Sequence, residues 1–117
     1  MSLSLFNLSG KRALITGGTQ GIGFSIAKGL GEAGASLVIN ARNSEKLTQC
    51  IQELKSLRID AIGALFDVTN AESVKEAIHE IETHIGPIDI LVNNAGIIRR
   101  SPAEGMKLTL SITSRGR

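Results

Sequence analysis

The residues best suited to chemistry begin with a run of glycines. Thr16-Gly17-Gly18-Thr19-Gln20-Gly21-Ile22-Gly23 follows the compact apolar run Ala13-Leu14-Ile15 and precedes an apolar pattern at helical spacing. A turn of this kind between strand and helix is where a dinucleotide pyrophosphate is held. Gly17 lets the chain leave the strand sharply, Gly21 lets backbone approach a phosphate, and Gly23 lets the helix pack closely. The free N–H groups at the helix start favour an anion. A purely structural glycine turn is the competing reading. The strand–loop–helix setting and the G-x-x-x-G-x-G spacing behind a Thr favour binding.

Three further groups stand where such a ligand would extend. The second apolar run, Leu37-Val38-Ile39, ends at Asn40-Ala41-Arg42, with Arg42 nineteen residues beyond Gly23. An acidic residue near this position would bond the ribose 2′-hydroxyl of NAD. Asp and Glu are absent from Leu37 to Asn43, and Arg42 offers a planar donor fork to a 2′-phosphate instead. This favours NADP over NAD, unless Arg42 is only a solvated loop residue. Asp67 follows the third run and can accept from an adenine amino group, or serve as a local loop or helix-start acceptor. Asn93-Asn94-Ala95-Gly96 follows the fourth run. Asn94, Ala95 and Gly96 form a small polar turn fit to lie beside a ribose, or a plain turn.

The elements that must position these residues alternate regularly. Ile22, Ile26, Leu30, Ala27 and Ala33 mark a helix that stops at Gly34. Asn43-Ser44 opens a second helix with the stripe Leu47, Cys50, Ile51 and Leu54. Ile62 to Phe66 reads as a strand. Thr69 and Glu72 form a capping-box pattern for a helix carrying Val74, Ala77, Ile78, Ile81 and Ile85, which ends at Gly86-Pro87. Ile88 to Val92 reads as the fourth strand. The order β-α-β-α-β-α-β, with strands apolar on both faces, predicts a doubly wound parallel α/β sheet. Residues 101–117 show no clear period of either kind.

Composition narrows the function classes. The chain has 117 residues, 42% of them hydrophobic, which is enough for one domain or part of one. Its charge is uneven: residues 1–96 carry 8 basic and 10 acidic side chains, residues 97–117 carry 5 and 1. The basic surplus belongs to the tail, so a nucleic-acid-binding face is not expected. No apolar stretch approaches a membrane span. The N-terminus lacks a secretory pattern, and one Cys fits a reducing compartment, so a cytoplasmic location is expected. Cys50 falls in a helix stripe and reads as core rather than as a reactive thiol. His79 and His84 are five residues apart, the wrong spacing for a helical metal pair, so no metal site is expected. No Ser has a nucleophile-elbow setting.

With these residues assembled, the chain resembles the short-chain dehydrogenase/reductase family. The resemblance rests on Thr16 to Gly23, on Asp67-Val68 and on Asp89-Ile90-Leu91-Val92-Asn93-Asn94-Ala95-Gly96, and it covers residues 7 to about 104. Within the family, Phe6-Asn7-Leu8-Ser9-Gly10-Lys11, Val38 to Arg42 and Asn94 to Arg100 look like the gluconate 5-dehydrogenase group. Sorbose reductases, deoxygluconate dehydrogenases and oxoacyl-carrier-protein reductases share most of these features. The resemblance implies a Rossmann-type fold and a cofactor site. In it Gly17, Gly18, Thr19, Gln20, Gly21, Ile22 and Gly23 surround the pyrophosphate and Arg42 takes the 2′-phosphate of NADP. Asp67 and Val68 meet the adenine, and Asn94, Ala95 and Gly96 meet the adenine-side ribose. Asn93 holds the central strands together. It implies hydride transfer between a nicotinamide and a sugar-acid hydroxyl or ketone, and homo-oligomers among full-length relatives.

The same resemblance marks a gap. The family uses a Tyr as general acid/base, with a Lys four residues later, a Ser and an Asn. This chain contains no Tyr, and no other residue carries over to these roles. No catalytic residue is therefore assigned. The expectation is a dinucleotide-binding half over residues 1–104, and an atypical, disordered or frame-shifted tail over 105–117. Such a chain would be truncated after the fourth strand, leaving that strand an open, aggregation-prone edge. It would bind NADP weakly and turn nothing over. A non-catalytic binding module and an inert fragment are the competing outcomes.

Overall fold

In the computed structural model of the chain, residues 7–19 and 21–94 are described, together with the backbone of residues 108–111. The apolar runs form strands and the periodic segments form the helices between them. In chain order these are β1 (Arg12–Thr16), α1 (Gly21–Glu32), β2 (Ser36–Ala41), α2 (Ser44–Ser56), β3 (Ala61–Leu65), α3 (Ala71–His84), β4 (Ile90–Asn93) and β5 (Leu108–Ser111). The strands lie in the order β3-β2-β1-β4-β5, and every neighbouring pair is parallel. The chain builds outward from β1 through β2 to β3, then returns through α3 to place β4 on the other side of β1. This is a Rossmann-type doubly wound sheet, with its switch point between β1 and β4.

The period of two along each strand sorts the core into two layers. Ala13, Ile15, Leu37, Ile39, Ile90 and Val92 pack with Ala27 and Leu30 of α1 and with Leu47, Cys50 and Leu54 of α2. Leu14, Val38 and Leu91 point the other way and pack with Val74, Ile78 and Ile81 of α3. Strands buried on both faces require the continuous apolar runs seen in β1, β2 and β4. β3 is different. It is an edge strand, and Gly63 and Leu65 are exposed.

Several expectations are corrected. The tail contains a strand: β5 pairs with β4 in the register Leu91↔Thr109 and Val92↔Leu110. β4 is therefore an interior strand, not an open edge. An apolar residue at alternate positions, Leu108 and Leu110, is a weak signal over four residues, but a waiting sheet edge completes it. The start of α3 is capped by Asn70, whose side chain accepts from Ser73 N, rather than by Thr69. Thr69 is instead drawn to Asp67, to which its backbone N–H and hydroxyl both donate. Ile22 and Ile85 sit in the apolar stripes of their helices by spacing, yet they are 57% and 44% exposed. Both lie at helix ends, where the face has turned beyond the sheet. Asn43 caps α2 by accepting from Lys46 N, in keeping with the sequence.

Candidate functional site

The carboxyl ends of β1, β2, β3 and β4 gather the polar residues singled out in the sequence. Thr16 ends β1 and pairs in register with Asn93 at the end of β4. Both are buried, as is Asn40 near the end of β2. Polar groups kept out of water need hydrogen bonds, and here those bonds fix the glycine turn. Asn94 N donates to Thr16 Oγ1 at 3.1 Å. Thr16 Oγ1 lies within reach of two acceptors, Val92 O at 3.4 Å and Asn93 Oδ1 at 3.3 Å. Asn94 Nδ2 donates to Gly17 O at 2.9 Å. Thus the last residue of β1 and the turn after it are laced to the end of β4, across the switch point.

The turn depends on two glycines for different reasons. Gly17 has φ +62°, a conformation that side-chain-bearing residues enter at a cost. Gly23, in the first turn of α1, is excluded from having a side chain by contact. A Cβ there would lie 2.5 Å from Gly17 O, 2.8 Å from Asn94 Nδ2 and 3.1 Å from Gly18 Cα. The start of α1 is held against the turn, and against Asn94, because nothing intervenes. Above Gly21, by contrast, a Cβ would meet nothing within 4 Å. Gly21 is exposed, and the N–H groups and dipole at a helix start attract an anion. Ile22 beside it is exposed too, and Thr19 is half-buried in the turn. Gln20 lies outside the described residues.

The outer part of the site is electrostatic. Arg42, one residue beyond β2, is exposed and makes no ion pair among the described residues. Asp67, two residues beyond β3, accepts at Oδ1 from Thr69 Oγ1 at 2.6 Å and from Thr69 N at 2.9 Å. These two donors hold its carboxyl below the ordinary carboxylate value, with a smaller push the same way from the Arg42 charge. Val68 is half-buried against the core layer beneath α3. Asn94 is part-buried, while Ala95 and Gly96 lie outside the described residues.

A polar residue not given a role from the sequence proves to be central. Asn40 Oδ1 accepts from Gly17 N at 3.3 Å, and its Nδ2 donates to Ala64 O at 3.3 Å and Phe66 O at 3.0 Å. Its backbone carbonyl accepts from Gly18 N at 3.3 Å. The available signal was an Asn closing an otherwise apolar strand. Cys50 also reaches the turn, its thiol lying 3.8 Å from Gly18 O. Burial, and secondarily the charge of Glu53, push that thiol up from its ordinary value. It is a core residue. His84 pairs with Glu80 on the exposed face of α3, and no cluster of metal-ligating side chains occurs among the described residues. No described helix is long and apolar enough to cross a membrane.

Such a site can hold a long anionic ligand: phosphate at the start of α1, a second phosphate at Arg42, and a planar ring near Asp67. Comparison with known proteins gives the same geometry a lineage. The chain is 47% identical over 109 residues to a 2-dehydro-3-deoxy-D-gluconate 5-dehydrogenase of Formosa agariphila, a match covering 92% of this chain and 41% of that one. It is 49% identical over 100 residues to a gluconate 5-dehydrogenase of Gluconobacter oxydans, covering 86% and 39%. Among solved structures, a gluconate 5-dehydrogenase from Burkholderia cenocepacia in complex with NADP and tartrate superposes with a TM-score of 0.73 at 49% identity, covering 89% of this chain and 41% of that one. The chain thus spans about two fifths of the length of the relatives it matches. The family model for short chain dehydrogenases matches residues 11–113, running through the glycine turn, all four site strands and β5. The chain belongs to the short-chain dehydrogenase family.

Proposed function

We propose that the chain binds NADP, with NAD the weaker ligand, across the carboxyl ends of β1 to β4. The observation that carries this reading is Arg42. It is exposed one residue beyond β2, makes no ion pair among the described residues, and has no acidic residue within Leu37 to Asn43. Gly17, Gly18, Thr19, Gln20, Gly21, Ile22 and Gly23 surround the pyrophosphate, and the N-terminus of α1 stabilises its charge. Arg42 forks onto the 2′-phosphate. Asp67 and Val68 meet the adenine, and Asn94, Ala95 and Gly96 the adjoining ribose. The NADP found with the Burkholderia cenocepacia protein supports the cofactor assignment.

The bound cofactor supplies a hydride acceptor or donor for a carbinol or carbonyl carbon. The names of the relatives support a sugar-acid hydroxyl or ketone as the family substrate, with a 3-oxoacyl carrier or another keto-sugar as the alternative class. This chain's own residues bind and orient; with no Tyr in the sequence, none supplies the phenolic proton. The chain is then a cofactor-holding half that is inactive alone, and we place it in the cytoplasm.

Fluorescence titration with NADPH and NADH tests the reading. NADPH should bind more tightly, and Arg42→Ala should weaken it roughly tenfold to 100-fold, as expected for loss of bonds to a charged group. NADH affinity should change less than about twofold. Equal affinities in the wild type, or an unaffected Arg42→Ala, would remove the basis for NADP. Gluconate with NADP, and 5-ketogluconate with NADPH, should show no turnover; measurable turnover would overturn the inactive assignment.

A further inference from the structure

We propose that Asn40 is a positioning residue that clamps the pyrophosphate turn to the adenine end of the site, and thereby sets affinity for the whole dinucleotide. This rests on the NADP reading above and adds a residue to it. The orientation of the Asn40 amide is dictated by its partners. Gly17 N–H needs an acceptor, and Ala64 O and Phe66 O need donors, so Oδ1 must face the turn and Nδ2 must face β3. Both amide donors and the amide oxygen are used. One side chain, 2% exposed, thus joins the first residue after β1 to the residue immediately before Asp67. Arg42 follows Asn40 by two residues on the same chain segment, so the clamp also anchors the strand end that carries it.

The arrangement assigns the turn's amides. Gly17 N–H goes to the Asn40 side chain and Gly18 N–H to the Asn40 carbonyl. Neither is directed at a ligand, which leaves the phosphate to the N–H groups at the start of α1. Without the side-chain clamp, Gly17 keeps its carbonyl bond from Asn94 and the adjoining Gly18–Asn40 backbone bond but loses the restraint on its own N–H, which widens the range open to a glycine. The ligand must then restrain the turn and the β3 end as it binds, and that ordering subtracts from affinity.

Asn40→Ala removes the clamp. Asn40→Asp keeps its volume and its acceptor for Gly17, but sets an oxygen against the Ala64 and Phe66 carbonyls. NADPH affinity, corrected for folded fraction, should fall about tenfold or more in each variant. Gly17 amide hydrogen exchange should quicken in Asn40→Ala and stay slow in Asn40→Asp. Ile81→Ala, at the far end of α3, serves as a control that weakens the core but touches no part of the turn; its NADPH affinity should stay within about twofold of wild type. If Asn40→Ala does not fold, Asn40→Asp decides by affinity. Wild-type affinity in Asn40→Asp, or an equal loss in Ile81→Ala, would overturn the role of Asn40 alone. A wild-type chain that binds no NADPH would overturn the cofactor reading and this role with it.

Discussion

Asp67 shows how one side chain can order its own loop. Its Oδ1 takes both donors of Thr69, so one oxygen orders the loop. The two Thr69 bonds favour the ionised form, which is why the carboxyl titrates below the ordinary 3.8. Since the folded value is the lower one, the stabilisation is complete above the unfolded value. It is lost as pH falls through the lowered folded value. Thr69→Ala removes the hydroxyl donor but keeps the backbone N–H. The Asp67 midpoint, followed by the NMR shift of its carboxyl carbon, should therefore rise toward 3.8 without reaching it. The thermal-stability gap between wild type and Asp67→Asn should also narrow as pH drops below about 4. A midpoint unmoved by Thr69→Ala would show that Thr69 is not the cause. Arg42 is the complementary case: it is exposed and makes no ion pair among the described residues, and its charge adds to the lowering at Asp67.

Elements differ in how far their own sequence specifies them. The glycine turn, α2 and β1, β2 and β4 were legible because each has a local cause: spacing, a capping Asn, or an unbroken apolar run. The place of Arg42 just past β2 was legible from the apolar run before it. Asn40 was not, because an Asn at a strand end reads as punctuation until the sheet brings Gly17, Ala64 and Phe66 around it. Thr69 was misread as a cap because α3 begins at Ala71, one residue later than the pattern suggests, so Asn70 holds the cap position and accepts from Ser73 N while Thr69 turns to Asp67. β5 was missed because four alternating residues carry little information without the β4 edge that pairs with them. That pairing can be tested on the backbone. In a parallel ladder the N–H groups of successive residues point to opposite sides, so of Thr109→Pro and Leu110→Pro one removes a bond to β4, and both oppose the strand. Each should lower the urea midpoint, and the worse of the two should lose about 1 kcal/mol or more of unfolding free energy. Each should also increase self-association in light scattering, because β4 becomes an edge. Unchanged midpoints in both variants would remove β5 from the folded sheet.

At the scale of the whole molecule, the site is drawn from the ends of every strand from β1 to β4, so binding there is coupled to the stability of the sheet. Cys50 offers a probe of that coupling that was built for packing rather than chemistry. It is 4% exposed in the layer beneath α1 and α2, and its thiol is pushed up by burial first and by Glu53 second. Both effects disfavour the reactive thiolate, so a thiol reagent must wait for the chain to open. Because Cys50 Sγ also touches Gly18 O, opening that exposes it should disturb the glycine turn as well. A ligand that binds only the closed form then slows labelling in proportion to its occupancy. At NADPH near 100 times its dissociation constant, labelling should slow by about 100-fold under conditions where reclosing outpaces reaction. NADH at the same concentration should protect less, by the ratio of the two affinities. Protection well below that value would mean that α2 detaches while the nucleotide end stays intact, making Cys50 a report on one helix only. Labelling at the rate of an unfolded thiol, with or without NADPH, would contradict the burial itself.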